Sequence, residues 1–349
     1  MKVKKEYLIL LFIIAALSVY LALRNKNQTH FELPHPAQAD SQKINRIVIT
    51  KGDRTIELDK KDDQWSIAPK GYAADNIKVR NMVKAAVDLT PTDLISESGN
   101  YDRYDLTKDK KINVRAFADK QVVRNFDIGR EAPTYQHTFA LLENDPKVYQ
   151  VRGRLDDTFN QTIDQLRDRT VVSFDKDDIS TLTIEKGTQS LALKLAQAPV
   201  QSQTPAAVDA DKKSEASQQK STPAKSAPQW QDPQGKAVDQ AVVNGLLGDF
   251  SKFSCARFMA DNAAEALKNA TWKLTFKGAK GAHTFSVYQP EKEADTELPA
   301  LSSQSPYAFL IGKSKAENIE KKLDKLLNPA PKSEEGTKAK AQADHKAQK

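Results

Sequence analysis

Two stretches of the chain decide its fold: residues 44–52, INRIVITKG, and residues 179–187, ISTLTIEKG. They align without a gap, with apolar residues at the same three positions and Lys-Gly at the end of each. Alternating apolar residues that lead into a glycine are typical of a half-buried strand that enters a tight turn. Each stretch is therefore predicted to form the first strand of a β-hairpin that turns at Gly52 or at Gly187.

The similarity continues beyond the turn, which indicates two copies of one unit. Apolar residues alternate again in the returning strand, and a tryptophan closes the hairpin region of both copies. The corresponding pairs are Ile56 with Leu191, Leu58 with Leu193, and Trp65 with Trp230. The internal repeat predicts two domains of the same design.

A helix is predicted next in each copy, beginning after Asp75 and after Asp239. Apolar residues recur there every three or four positions, which produces one apolar helix face. These residues are Ile77, Val79, Met82, Val83, Ala86 and Leu89 in the first copy, and Val243, Leu246, Leu247, Phe250 and Phe253 in the second. Each Asp side chain is placed to accept the free amide hydrogens of the first helical turn, so we interpret both as helix caps.

Further strands follow each helix in matching order. They centre on Val114, Phe126 and residues 139–142 in the first copy, and on Leu274, Phe285 and residues 308–311 in the second. In the first copy, residues 148–151 are predicted to return beside the last strand after a turn at residues 144–146. Each copy is thus predicted to be an α+β module, a mainly antiparallel sheet with a packed helix.

The composition divides the rest of the chain into segments. The predicted parts are a cytoplasmic N-terminus (1–6), a transmembrane helix (7–23), a stalk (24–43), a first module (44–155), a linker with a connecting helix (156–177), a second module (178–329) and a disordered tail (330–349). Within the second module, residues 197–228 are rich in Ala, Gln, Ser, Lys and Pro and are predicted to be a disordered insertion.

Residues 7–23, YLILLFIIAALSVYLAL, contain no charge and are long enough to cross a hydrocarbon core as a helix. More basic residues lie before this run than just after it, which favours an N-terminus kept inside and an exported body. The alternative is a cleaved signal peptide with its site near Ala16-Leu17-Ser18. Because the apolar run continues to Leu23, we favour a single-pass anchor in a bacterial-type cytoplasmic membrane, with the body on the periplasmic side.

The net charge of +7 does not indicate nucleic-acid binding. Most of the excess of Lys and Arg lies before residue 27 and after Pro331, so the body between them is nearly neutral. Binding to nucleic acid needs clustered cations that neutralise phosphates. No nucleic-acid partner is therefore expected.

Two sequence features resemble the beginnings of an active site. Gly312-Lys313-Ser314 resembles the end of a phosphate-binding loop, but Tyr307 stands where that loop needs a glycine, so we interpret Lys313 as a turn residue. His137 and His283 are the histidines that fall within predicted folded regions, and neither has a neighbour at ligand spacing. No cofactor and no catalytic residue is predicted.

Two acidic groups, Asp156-Asp157 and Asp175 to Asp178, offer oxygen ligands for a divalent ion. They lack the spacing and the glycine of a calcium loop, so capping and solvation are the preferred interpretation and no metal is predicted. Cys255 is the single cysteine, which excludes an intramolecular disulfide. Its apolar neighbours indicate a small buried side chain.

Arg167, Asp168 and Arg169 form a charged cluster between the modules. Arginine forks bind carboxylates in two-point geometry, and a pair of them can fix an orientation. We predict that this cluster forms an inter-module clasp. Ligand recognition by the two arginines is the alternative.

The whole pattern resembles the family named domain of unknown function 4340. The residues that carry the resemblance are the strand at 44–50, Trp65, Ala74-Asp75, Tyr104-Asp105-Leu106, Ile128-Gly129, the linker segment 166–170 and Phe174-Asp175. That family has no established activity or catalytic residues. Its members often occur with ABC-type export or gliding-motility components, which implies an accessory role in the cell envelope.

The sequence leads to one functional hypothesis and two alternatives. The first is a non-enzymatic, membrane-anchored binding protein with a protein partner in the envelope, such as components of an ABC-type transporter. The second is an envelope enzyme with a site at the module interface. The third is a structural spacer.

Overall fold

A computed structural model describes most of the chain and divides it into two compact units, Met1–Asp168 and Arg169–Lys349. The described residues are 5–26, 32–196, 228–292 and 294–329. The boundary between the units falls inside the predicted linker, 156–177. The predicted tail and, apart from Pro228, the predicted insertion lie outside the described residues.

The first unit contains one large antiparallel sheet. Its strands are β1 Ile44–Lys51, β2 Arg54–Lys61, β3 Gln64–Ala68, β4 Tyr72–Ala73, β5 Pro91–Ser96, β6 Ile112–Ala118, β7 Gln121–Glu131, β8 His137–Leu142 and β9 Val148–Arg152. Their order across the sheet is β4-β3-β2-β1-β6-β7-β8-β9-β5. The return of β9 beside β8 confirms the strand predicted at residues 148–151.

The first unit also contains α-helices, and the first of them precedes the sheet in the chain. They are α1 Lys5–Lys26, α2 Asn76–Val87, α3 Leu155–Phe159 and α4 Ile163–Leu166, with a 3₁₀ turn at Tyr101–Tyr104. Helix α2 buries Val79, Met82, Val83 and Ala86 against Ile47 and the other apolar residues of the sheet. This packing follows from the predicted apolar face, except that Ile77 is exposed and Leu89 lies beyond the end of α2.

The second unit repeats the design. Its strands are β10 Thr170–Ser173, β11 Ile179–Lys186, β12 Gln189–Ala196, β13 Gln229–Gln231, β14 Lys252–Ser254, β15 Arg257–Phe258, β16 Trp272–Gly278, β17 Gly281–Val287, β18 Glu297–Ser302 and β19 Ser305–Gly312. Its α-helices are α5 Gln240–Phe250 and α6 Lys313–Leu327. The large sheet has the order β13-β12-β11-β16-β17-β18-β19-β15, and β10 pairs separately with β14.

Strand order and register correspond between the two units. The first strand of each hairpin lies inside its sheet, β1 between β2 and β6 and β11 between β12 and β16. The register shifts at the same place in both, between Ile44 and Arg46 and between Ile179 and Thr181. Gly52 and Gly187 adopt positive φ angles of 54° and 57°, which the tight hairpin turns need. The predicted α+β class with mainly antiparallel sheets is confirmed.

The linker and the end of the second unit differ from the prediction. Instead of one connecting helix from Asp156, the chain forms α3 and α4, because Leu155, Phe159 and Leu166 turn into the first core. Helix α6 was not predicted from the sequence, although Ala316, Ile319, Leu323 and Leu326 recur at helical spacing and are buried.

The described part of the predicted stalk, residues 32–43, is tied to the first unit by Arg124 on β7. This side chain is 8% exposed, and its guanidinium donates to the carbonyl oxygens of Val123 at 2.8 Å, of Val87 at 3.4 Å, and of Ala37. Burial lowers the pKa of Arg124 from its ordinary value. Its position at the carboxyl end of α2 acts in the opposite direction, since the helix dipole is negative there and favours the cation.

Helix α1 presents large apolar side chains to its surroundings, among them Leu11, Phe12 and Tyr20. Measured over the residues that the structure describes, no helix is long and apolar enough to cross a membrane.

Two glycines of the second unit give a test of this packing. A Cβ atom on Gly278 would lie 2.0 Å from the carbonyl oxygen of Asp178, whereas Gly248 has open space within 4 Å. We expect Gly278→Ala to lower the free energy of unfolding by about 1–3 kcal/mol through overpacking. Gly248→Ala, on the exposed face of α5, should raise it by about 0.5–1 kcal/mol. Urea denaturation of the full-length chain measures both, and a neutral Gly278→Ala variant would contradict the close approach.

Candidate functional site

A groove lies between the packed helix and the first strands in each unit. The first groove is lined by Ile44, Trp65, Asn76, Arg80 and Val83, and it encloses about 580 Å³. The second groove is lined by Ile179, Trp230, Gln240, Asn244 and Leu247, and it encloses about 380 Å³. Each is a shallow cleft on the surface of its own unit.

The two grooves are built from corresponding positions. The residue pairs are Ile44 with Ile179, Trp65 with Trp230, Asn76 with Gln240, Arg80 with Asn244, and Val83 with Leu247. The two members of each pair lie at equivalent positions, either on equivalent strands of the two sheets or on equivalent turns of α2 and α5. The groove is therefore a property of the repeated module.

A hydrogen-bonded tie between a strand and a helix start forms one end of the first groove. The backbone N–H of Trp65 donates to Oδ1 of Asn76, the first residue of α2, at 3.1 Å. The carbonyl oxygen of Trp65 accepts from the N–H of Ala74 at 2.9 Å. Both backbone groups of Trp65 are thus bonded to the entry of the helix, while its indole ring is buried.

The second groove has the same tie with glutamine in place of asparagine. The N–H of Trp230 donates to Oε1 of Gln240, the first residue of α5, at 2.7 Å. The carbonyl oxygen of Trp230 accepts from the N–H of Val238 at 3.1 Å and from Nε2 of Gln240 at 2.8 Å. Because a buried unpaired backbone group is costly, this tie fixes where each helix begins.

Asp75 and Asp239 complete the helix entries. The Asp75 carboxylate accepts from the N–H groups of Ile77 at 2.9 Å and Lys78 at 3.2 Å. The Asp239 carboxylate accepts from Ala241 at 3.0 Å and Val242 at 3.2 Å. Both aspartates occupy the N-cap position at which the sequence placed them, so their carboxylates serve the helix rather than the groove.

The lining of the first groove carries charges. Lys60 pairs with Asp63 at 2.8 Å, and Lys84 pairs with Asp88 at 2.5 Å. The contact with Lys60 lowers the pKa of the Asp63 carboxyl group from its ordinary value. Arg80 also lines this groove and is exposed. Its side chain makes no ion pair or hydrogen bond to any residue that the structure describes.

The second groove has a different lining on the same frame. Leu195 stands in the position of Lys60, Pro228 in that of Asp63 and Asn244 in that of Arg80. Lys176 and Asp177 contribute one charge of each sign at the entrance. The second groove is therefore nearly neutral and more apolar.

The histidines noted in the sequence have partners within their own units. Nδ1 of His137 lies 3.0 Å from the hydroxyl of Thr134 in the first unit. Nδ1 of His283 lies 2.7 Å from Nε2 of Gln304 in the second, and its ring stacks on Phe174 at a centroid distance of 5.8 Å. Neither histidine lines a groove.

The acidic groups are engaged in local structure. Asp157 pairs with Arg154 at 2.6 Å, and Asp178 pairs with Lys280 at 2.5 Å. Asp175 caps the 3₁₀ turn at residues 176–178 by accepting from the N–H of Asp177 at 3.1 Å. Across the described ranges, no three His, Cys, Asp or Glu side chains are grouped so that they could hold a metal ion.

Lys313 is not a turn residue, so that interpretation is corrected. It is the first residue of α6 and follows β19 directly, because Gly312 occupies the N-cap position. The backbone N–H of Lys313 donates to the carbonyl oxygen of Thr296 at 2.8 Å, which removes that amide from any phosphate cradle. Cys255 is buried in the apolar core of the second unit, where the sequence predicted a buried side chain.

The three residues of the predicted clasp are divided between the units. The Arg167 guanidinium lies 4.0 Å from the ring centroid of Tyr72, and the N–H of Asp168 donates to the carbonyl oxygen of Ala73 at 2.8 Å, both in the first unit. Arg169 accepts through its carbonyl oxygen from the N–H of Cys255 at 2.9 Å in the second unit. The inter-module clasp stays a prediction.

The grooves themselves were not predicted from the sequence. Trp65, Trp230 and the two cap residues were identified, but the residue after each cap was not singled out. An amide side chain directly after an N-cap Asp, in both copies, is the signal that would have found the tie.

These features define a class of protein: an α+β chain in which a sheet-and-helix module, with its helix tied to a tryptophan, occurs twice. The chain belongs to the family described as a domain of unknown function, DUF4340, whose sequence model matches residues 65–271. The matched range exceeds half of the chain, includes both tryptophans of the grooves and confirms the family resemblance seen in the sequence. No curated protein and no solved structure matches the chain.

The tie can be tested by changing its acceptor. We expect Asn76→Leu to lower the free energy of unfolding by about 1–3 kcal/mol, because the N–H of Trp65 loses its partner in a partly buried site. Asn76→Asp keeps an acceptor oxygen and serves as the control, with a smaller loss. Urea denaturation of the full-length chain, followed by tryptophan fluorescence, measures the difference. Equal losses in the two variants would show that the acceptor oxygen has no role.

Proposed function

We propose that this protein is a membrane-anchored accessory of the cell envelope that binds a protein partner without catalysing a reaction. Its anchor is the uncharged run at residues 7–23, flanked by basic residues, and its body lies on the periplasmic side. The association of the family with ABC-type export and gliding-motility components supports a partner from such a system.

The observation that carries the proposal is the recurrence of the groove. Two units share the frame that forms it, including the tie at Trp65 and Trp230, while the residues that face outward differ. A binding protein needs this combination, since a fixed frame positions the surface and variable residues determine what it accepts. A structural spacer has no use for the grooves.

The grooves also suit binding more than catalysis. In the first groove, Lys60 is paired with Asp63 and Lys84 with Asp88. Nucleophilic catalysis needs a nucleophile and a base within hydrogen-bond reach of each other. The described lining of either groove brings no such pair together.

The anchor is tested by alkaline extraction of membranes and by measuring the mass of the recovered protein. We expect the full-length protein to stay in the membrane pellet at alkaline pH, with an intact N-terminus, because residues 7–23 remain in the bilayer. A variant that lacks residues 7–23 is the control and should be released. Recovery of a soluble chain that begins after Ser18 would instead identify the run as a cleaved signal peptide.

Partner binding is tested by site-specific photo-crosslinking in intact cells. A crosslinking residue introduced at Gln42, in the first groove, or at Asp177, in the second, should give a discrete adduct with an envelope protein. The same residue at Lys120, in the exposed turn after β6, is the matched control and should give none. Absence of groove adducts, or the same adduct from all three positions, would count against the proposal and favour a spacer.

A further inference from the structure

We propose that the first groove binds an extended acidic peptide segment of the partner, and that Arg80 recognises one of its carboxylates. This inference rests on the proposed binding function and adds the chemistry of the ligand. It also assigns different ligands to the two grooves, because the second groove lacks the arginine.

Arg80 is the cation of the first groove that is available to a ligand. It lies on α2 one turn after Asn76, is exposed, and has no ion pair or hydrogen bond among the described residues. A guanidinium offers a planar fork of donors that matches a carboxylate at two points. A long cationic side chain beside an apolar cleft is suited to capture an acidic residue whose neighbours enter that cleft.

The other charges of the groove cancel in pairs. Lys60 and Asp63 are joined at 2.8 Å, and Lys84 and Asp88 are joined at 2.5 Å. Each pair contributes little net potential, so Arg80 determines the sign of the surface. An incoming carboxylate meets one unmatched positive charge between two neutral pairs.

A buried charge adds to the positive potential at the far end of the groove. Arg124 donates to the carbonyl oxygen of Val87, which lines the groove, and the other acceptors of its guanidinium are also carbonyl oxygens. Its Nε atom has no hydrogen-bond partner. Because the surroundings of Arg124 are poorly solvated, its charge is screened less than that of a surface lysine.

The dimensions of the groove fit a short extended segment. From Asn76 to Asp88 the helix rises roughly 18 Å, at about 1.5 Å per residue. An extended chain covers that length with about five residues, at roughly 3.3–3.6 Å each. Ile44, Trp65 and Val83 form an almost fully buried floor of the groove, and Val87 is partly exposed at its end. Apolar side chains of the segment pack over this floor, while Arg80, which is exposed at the rim, binds an acidic side chain.

The second groove provides an internal comparison. Asn244 replaces Arg80 and Leu195 replaces Lys60, while the tie and the helix frame are retained. Lys176 and Asp177 balance each other at its entrance. The described lining of the second groove therefore has no net charge and no arginine, and its lysine, Lys176, offers a point charge without a fork, so this groove should discriminate less in favour of acidic segments.

The experiment measures binding of a defined probe to the detergent-solubilised full-length chain. The probe is a fluorescein-labelled eight-residue peptide of alternating leucine and glutamate, and the control peptide has glutamine at every glutamate position. Fluorescence anisotropy should show binding of the glutamate peptide that is about tenfold weaker in Arg80→Asn, since a charge-assisted pair contributes about that factor. Arg80→Lys keeps the charge without the fork and should give an intermediate loss.

The exchanged variant makes the test independent of folding. Asn244→Arg introduces the arginine into the second groove, and both positions are exposed on helices, so neither change alters the core. Combined with Arg80→Asn, it should restore binding of the glutamate peptide. Equal binding of the two peptides, or no effect of Arg80→Asn, would overturn the inference, as would displacement of the peptide by inorganic phosphate at equal concentration.

Failure of this inference is distinguishable from failure of the proposed function. If Gln42 still crosslinks to an envelope protein while Arg80→Asn changes neither the adduct nor peptide binding, the groove binds a partner by other chemistry. If the crosslink itself is absent, the binding function fails as well.

Discussion

The structure depends on one constraint, which is the tie between the third strand of each sheet and the first residue of the helix that follows. Both backbone groups of Trp65 and of Trp230 are bonded to that helix entry. Both tryptophans are buried, so their backbone N–H and C=O groups cannot form hydrogen bonds with water instead. The position of the helix over the sheet, and with it the groove, follows from these bonds.

The tie uses the backbone of the tryptophan and one amide side chain. The outward-facing residues of the groove therefore take no part in holding the helix on the sheet. Arg80 and Asn244 occupy the same position on their helices, and each can change without loss of a buried contact. The differences between the grooves therefore have little effect on the free energy of unfolding but change the charge and polarity of the lining. This separation between a fixed frame and a variable lining is what the proposed difference in ligands between the two copies requires.

The hairpins, the helix caps and the mainly antiparallel α+β class were predictable because each depends on local patterns. Alternation around Ile47 and Leu182, glycines at the turns and aspartates before the helices are all readable within a few residues. The grooves were not predictable, because they arise where residues from β1, β3 and α2 meet across tens of positions. Helix α6 was not predicted even though its spacing is helical, because Gly312-Lys313-Ser314, which includes its first two residues, resembles the end of a phosphate-binding loop. The division of the predicted connecting helix into α3 and α4 reflects tertiary packing of Phe159, which local periodicity does not reveal.

Each groove is small, so the affinity of a single groove for a peptide is limited. A segment of about five residues buries far less than the roughly 1,200–2,000 Å² of a stable protein interface. In the proposed function, two grooves on one membrane-anchored chain would raise the effective concentration of a second contact once the first has formed. The gain requires that one partner, or a complex of partners, presents a segment to each groove. Different linings then favour a partner with one acidic and one apolar segment over a partner with two segments of the same kind, so selectivity arises from the pair rather than from either groove alone.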